Sequence, residues 1–271
     1  MRAARIFAMI VSHPFEAART MLYRNVVTPS AHGLLLINVN DQIIGKTVST
    51  YGGWDVAYVD MLKEMIRRHY PESEPMDIVD CGANIGIYAL SLAKIDDFKI
   101  RMHAIEAQRL IFQMLNANMA LNSLDNVWTY HAYVSNIDGE STALPCADPN
   151  VPANFGAFEV ESLSGHSEFD GKLLAPEMVQ SLTIDSLQLE NCTVIKIDIE
   201  GMEVKAIEGA MNTIAKSRPI LFFERHRCDY DAIKDLLRPY DYQLFELGEH
   251  NTLAIRKEWE VKIEPSVKVE V

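Results

Sequence analysis

From Met76 onward, short apolar runs alternate with stretches whose apolar residues recur every three or four positions. Met76, Ile78 and Val79 predict a strand that ends at Asp80, and Ile87, Leu90 and Leu92 fit one face of a packed helix. Residues 99–106 read as a second strand. Residues 110–121 read as a helix, with Ile111, Met114, Leu115 and Met119 forming its buried stripe. A third strand follows at 127–134, and Asp138-Gly139 marks a turn. The alternation resumes with a strand at 194–199, a helix at 204–214, a strand at 219–223 and a helix at 231–237. It closes with a strand pair at 242–247 and 252–255. Strands alternating with helices predict an α/β fold, a mainly parallel sheet covered by helices on both faces. The terminal hairpin adds an antiparallel strand.

Two regions stand outside this rhythm. Residues 34–39 and 43–49 are rich in β-branched and apolar side chains, and Asn40-Asp41 between them predicts a hairpin. Gly52-Gly53 breaks the chain, and a helix is expected over 54–69 before Pro71 and Pro75. From 144 to about 180 the pattern lapses into Pro, Gly, Ser and Asn, too long for a structureless connection in a compact domain. Short strands and a substrate-side insertion are expected there. The expected organisation is an N-terminal layer of helix, hairpin and helix over 1–75, a main domain over 76–256, and a tail or edge strand over 257–271.

Composition narrows the function classes. A formal charge of −13 over 271 residues argues against general attraction to nucleic-acid phosphates. Cys81, Cys146, Cys192 and Cys228 lie far apart without a C-x-x-C, so neither a zinc site nor a disulfide framework is indicated. No apolar run approaches the ~18–20 residues that span a bilayer. The chain start resembles a signal sequence, but its apolar run is short and His13-Pro14 interrupts it. A cytoplasmic protein in a reducing compartment is the expectation. Four arginines among apolar residues at 2–24 are compatible with a membrane-surface helix, and a helix docked on the domain is the simpler reading.

The chemistry concentrates at predicted strand ends. MDIVDCGANIGIYALSLAK is a strand, an acid, a loop bracketed by Gly82 and Gly86, and a helix, the corner where open α/β sheets bind nucleotides. The spacing is G-x-x-x-G rather than the G-x-G-x-x-G of a dinucleotide site. A carboxylate at the loop start would repel a pyrophosphate and suits a ligand carrying an amino group or a sulfonium. Glu106 ends the second strand about twenty residues after Gly86, placed to accept hydrogen bonds from ribose hydroxyls. In KIDIEGME, Lys196 and Asp198 share strand parity, and a buried Lys196 requires an anionic partner. Asp198 and Glu200 fall at the ligand-binding edge, with Glu203 able to favour the next helix start. Glu224 and His226 follow another strand to the same edge, where His226 could act as a general base. His103, His131 and Tyr133 read as packing residues. Asn118 and Asn122 could cap their helix or bond near a cofactor, and the residues alone leave that open.

With these pieces in place, the chain resembles the FkbM-type S-adenosylmethionine-dependent methyltransferases. The matching segments are VDCGANIGIYAL, HAIEAQ, NANMALN, TIDSL, KIDIEGMEVKAIEGA and RPILFFE, over roughly 77–224, with weaker similarity in the preceding hairpin. The resemblance implies a seven-stranded class I methyltransferase fold. It implies that Asp80, Gly82, Asn84 and Gly86 cradle the methionine half of the cofactor. It also implies that Glu106 holds the ribose and that Ser135 and Asn136 lie near the adenine. Ala107-Gln108 stands where the family usually has a proline, which should loosen the adenine-side turn. Asn154-Phe155-Gly156 resembles a segment found in part of the family.

The expected reaction is methyl transfer from S-adenosyl-L-methionine to a hydroxyl of a polar, sugar-like small molecule. Asp198 or His226 would accept the proton, and Glu200 and Glu224 would orient the acceptor. A nicotinamide-dependent oxidoreductase, a non-catalytic cofactor-binding protein and a transferase using a metal held by Asp198, Glu200 and Glu224 are the alternatives.

Overall fold

The computed structural model describes residues 24–157, 171–259 and 261. The arginine-rich chain start, the middle of the insertion and most of the tail lie outside the described residues. Among those described, no helix is long and apolar enough to cross a membrane.

The N-terminal layer consists of strands β1 (Asn25–Ser30) and β2 (Gly33–Asn38), then helices α1 (Ile44–Tyr51) and α2 (Val56–His69). The main domain follows with β3 (Met76–Cys81), α3 (Ile87–Leu92), β4 (Ile100–Glu106), α4 (Arg109–Leu121) and β5 (Val127–His131). Next come the short strands β6 (Tyr133–Val134), β7 (Ser141–Leu144) and β8 (Glu177–Leu182). The second half runs through β9 (Cys192–Ile197), α5 (Glu203–Glu208), α6 (Met211–Ser217), β10 (Ile220–Glu224), α7 (Tyr230–Leu237), β11 (Tyr242–Leu247) and β12 (Asn251–Arg256). The main sheet has seven strands in the order β11-β12-β10-β9-β3-β4-β5. Its strands from β10 to β5 pair in parallel, and β12 pairs antiparallel with both β10 and β11. This is the seven-stranded class I methyltransferase arrangement.

Alternation along the central strands divides the core. Met76 and Ile78 join Leu62, Ile66, Leu90 and Leu115 from α2, α3 and α4 on one face. Val79 and Cys81 join Ala206, Ile207, Ile214, Ile233 and Leu237 from α5, α6 and α7 on the other. Because β3 and β9 are buried along their whole length, they read as continuous apolar runs, as central parallel strands do.

Three expectations are corrected. The hairpin does not pair 34–39 with 43–49; β2 pairs with the upstream β1, and 43–49 contributes to α1. The Asp41 carboxylate accepts hydrogen bonds from the amides of Ile43 and Gly45 at 3.1 and 2.9 Å, supplying acceptors that a helix start lacks. Burial of Val48 then outweighs the strand preference of Ile43, Ile44 and Val48. The strand expected over 127–134 divides, because β6 leaves the main sheet to pair with β8. The helix expected over 204–214 breaks at Gly209, where a Cβ would come within 2.2 Å of the Ser135 carbonyl oxygen.

The β1–β2 hairpin would leave an open edge, and α4 closes it. Asn118, wholly buried, accepts from the Leu36 amide at 2.5 Å and donates to the Leu36 and Ile85 carbonyls at 3.3 and 2.8 Å. Asn122 accepts from the Leu34 amide and donates to the Leu34 carbonyl at 3.1 and 2.7 Å. The paired asparagines therefore stand in for a neighbouring strand. They dock the hairpin, and Asn118 also ties it to the glycine loop through Ile85. Asn118→Ala should cost roughly 2–4 kcal/mol in urea unfolding, because it strands buried backbone groups. Gln113→Ala on the exposed flank of α4 should stay within about 0.5 kcal/mol. A loss below about 1 kcal/mol for Asn118→Ala would contradict the docking role.

Candidate active site

The loop between β3 and α3 is shaped by what lies against it. Gly82 has φ +73°, and a Cβ there would lie 1.9 Å from the Asp198 carbonyl oxygen. The β9 exit thus passes so close that only glycine fits. Asn84 also takes a left-handed conformation, at φ +51°, and its side-chain oxygen accepts from the Ile85 amide at 2.8 Å. Gly82 and Asn84 line a cleft of about 480 Å³. Gly86 starts α3 behind it, facing Leu115 and Met119.

Beneath the loop lies a buried ion pair. The Lys196 ammonium is 3.2 Å from Asp80 and 3.6 Å from Asp198, and it donates to the Gly82 carbonyl at 2.9 Å. Burial opposes its charge, but Asp80 and Asp198 hold its pKa above the ordinary lysine value. Asp80, only 1% exposed, sits under the loop as counter-ion to Lys196 and is not among the cleft-lining residues.

Glu106 closes the other side of the loop. Its carboxylate accepts from the Asn84 amide at 3.0 Å and the Gln108 amide at 2.7 Å, and burial raises its pKa to about 7. Each oxygen retains acceptor capacity, and Glu106 lines the cleft. Ser135 and Asn136 do not line it. Ser135 is buried beside Asn136, whose amide donates to Glu208 at 2.7 Å. Ala132, Tyr133 and Val134 form the wall there.

Across the cleft, Asp198, Glu200, Glu224 and His226 come together from the ends of β9 and β10. The Asp198 side chain is half exposed. Glu200, at φ +54°, pairs with Arg227 at 2.5 Å. Burial, reinforced by Asp198, raises the pKa of Glu200 to about 8 and that of Glu224 to about 7. Glu203 is buried and accepts from the Ile199 and Gly201 amides at 3.1 and 3.0 Å, so it braces this loop rather than facing the cleft. His103 bonds Asp77 and Tyr130, and His131 bonds the Ala107 carbonyl. Among the described residues no cluster of three His, Cys, Asp or Glu could hold a metal ion.

Several lining residues were not singled out from the sequence. Ile43, Ile44 and Trp54 come from the N-terminal layer and Ala157 from the insertion, beside Asn154 and Gly156 of the run Asn154-Phe155-Gly156 noted in the sequence. Tyr88 donates to Asp55 at 2.9 Å beneath Trp54's segment. His250 stacks edge-on to His226 with ring centroids 4.7 Å apart. The signal for His250 was the terminal strand pair, which returns the chain to β10, where the Arg225 amide donates to the His250 carbonyl at 2.6 Å.

No curated protein matches the chain. Among solved structures, it is similar to the FkbM methyltransferase of Methylobacillus flagellatus KT at 21% identity and a TM-score of 0.47, covering 69% of this chain and 44% of that one. The chain thus spans less than half the length of that protein. It is also similar to the N-terminal domain of human METTL16, at 13% identity and a TM-score of 0.47 over 93% of each chain. The M. jannaschii TYW2 solved in complex with AdoMet matches at 15% identity and a TM-score of 0.42, over 85% of this chain and 84% of that one. The methyltransferase FkbM domain model matches residues 80–244, from Asp80 under the glycine loop through the whole acidic wall. The chain belongs to the FkbM methyltransferase family, which implies S-adenosylmethionine as its cofactor.

Proposed function

We propose that this protein methylates a hydroxyl group of a neutral, polyhydroxylated small molecule. The observation that carries the reading is the meeting, in one cleft, of a ribose-competent carboxylate with a wall of acids. Glu106 stands on one side of the glycine loop, and Asp198, Glu200, Glu224 and His226 stand across it. S-adenosylmethionine supplies an electrophilic methyl group when bound. Glu106 would accept from its ribose hydroxyls, and Gly82 and Asn84, which line the same cleft, would help to hold it. Asp198, half exposed into the cleft, takes the proton from the acceptor hydroxyl, and His226 is the other base in reach of the same wall. Glu200 and Glu224, held partly protonated near neutral pH, can both donate to and accept from acceptor hydroxyls.

Charge supports a neutral acceptor. The cations of the cleft are engaged, Lys196 by Asp80 and Asp198 and Arg227 by Glu200. A phosphate-bearing acceptor or a nucleic acid would find neither of these two cations available to pair with it.

Formation of S-adenosylhomocysteine over a panel of neutral polyols and sugars tests the reading. Asp198→Asn should lower turnover about a hundredfold or more while calorimetry shows nearly unchanged S-adenosylhomocysteine affinity. Full turnover by Asp198→Asn would move the base to His226. No product with any acceptor would favour a binding protein without catalysis.

The acids also set a pH dependence. Glu106, Glu200 and Glu224 rise from 4.5 to about 7, 8 and 7, so the folded protein keeps protons that the unfolded chain has already released. Their contribution to stability is complete below about 4.5 and is lost as pH rises through about 7–8. Thermal midpoints should therefore fall between about pH 5 and 8, and Glu200→Gln should flatten the fall. An identical slope in wild type and variant would contradict the burial of Glu200's charge.

A further inference from the structure

Gln108 joins the two halves of the cleft in a way its neighbours do not. Its backbone amide donates to Glu106 at 2.7 Å. Its side-chain amide donates to the Phe155 carbonyl at 2.8 Å, and its side-chain oxygen accepts from the Ala147 amide at 3.3 Å. The residue is 7% exposed and lines the cleft. One buried side chain thus grips the insertion at two points, Ala147 and Phe155, while its own backbone is bonded to the carboxylate assigned to the ribose.

The gripped segment has a second anchor. The Gln42 amide donates to the Ala153 carbonyl at 2.9 Å, and the Ala153 amide donates to the Asn40 carbonyl at 3.0 Å. Between these anchors Asn154, whose side chain accepts from the Gly156 amide at 3.0 Å, turns the chain so that Asn154, Gly156 and Ala157 face the cleft. The N-terminal layer fixes the segment from outside the cleft, and Gln108 fixes it from inside.

We propose that Gln108 is a positioning residue that couples nucleoside binding at Glu106 to the placement of Asn154–Gly156 over the cleft. The inference rests on the cofactor reading above. A ligand hydroxyl bonded to Glu106 restrains the carboxylate that receives the Gln108 amide, and the Gln108 side chain passes that restraint to Ala147 and Phe155. Linkage makes the effect mutual: a segment held in place by Gln108 strengthens ligand binding, and ligand binding steadies the segment.

Calorimetry with S-adenosylhomocysteine, combined with amide hydrogen exchange over residues 147–157, tests this in the full chain. In the wild type the ligand should slow exchange across that segment. Gln108→Met keeps the length and removes both side-chain hydrogen bonds, so affinity should fall about tenfold and the ligand-induced protection should vanish. A merely structural role would lower the melting temperature without changing the affinity of the folded protein. Gln108→Leu also removes both side-chain hydrogen bonds, with a branched apolar side chain, and it decides by the same criteria if the methionine variant does not fold. Wild-type affinity in a folded variant, or no ligand effect on 147–157 in the wild type, overturns the proposal. A wild-type protein that binds no S-adenosylhomocysteine refutes the cofactor reading itself, a distinct result.

Discussion

The ion pair between Lys196 and Asp80 joins the two central strands of the sheet at the point where both open into the cleft. Asp80 is the last residue but one of β3 and Lys196 the last but one of β9, with their charged groups 3.2 Å apart and both side chains at most 5% exposed. Burying such a pair gains little by itself, but removing one partner strands a charge in the interior and typically costs about 3–5 kcal/mol. The pair's contribution is therefore geometric. Lys196 also reaches the Gly82 carbonyl and Asp198, so one ammonium sets the glycine loop and the first residue of the acidic wall relative to each other.

The rest of the cleft is arranged around that junction. On one side the Asn84 amide, carried by the loop, meets Glu106, and Glu106 in turn meets Gln108 and the insertion. On the other side Asp198 faces Glu200 and Glu224, whose charges burial disfavours, while Glu203 braces the backbone that carries them. The N-terminal layer adds Ile43, Ile44 and Trp54 at the rim. Its own edge is held by Asn118 and Asn122, so the helix after Glu106 supports both the loop and the rim.

Much of this was legible in the sequence because it is local. The alternation of apolar runs and helical stripes announced the parallel sheet, and the strand ends at Glu106, Asp198 and Glu224 announced its ligand edge. What was not legible depends on distant contacts. Residues 43–49 have the composition of a strand, and only the Asp41 carboxylate and the burial of Val48 make them a helix. The asparagines of NANMALN could not be interpreted without their partners in β2, 82 residues away for Asn118 and Leu36. Asp80 looked like a ligand contact because it starts the loop, yet Lys196 claims it from below. Gln108 looked like a loosened turn where a proline is usual, and it proves to be a buried tie, its amide bonded to Glu106 and its side chain to Ala147 and Phe155.

In the proposed function one cleft holds the methyl donor on Glu106 and presents it to the acidic wall. A crystal structure with S-adenosylhomocysteine bound tests it most directly. Ribose hydroxyls are expected on the Glu106 carboxylate, the amino-acid end beside Gly82 and Asn84, and the sulfur facing Asp198 and Glu224. A ligand bound away from Glu106, or one whose sulfur points away from Asp198 and Glu224, would contradict it.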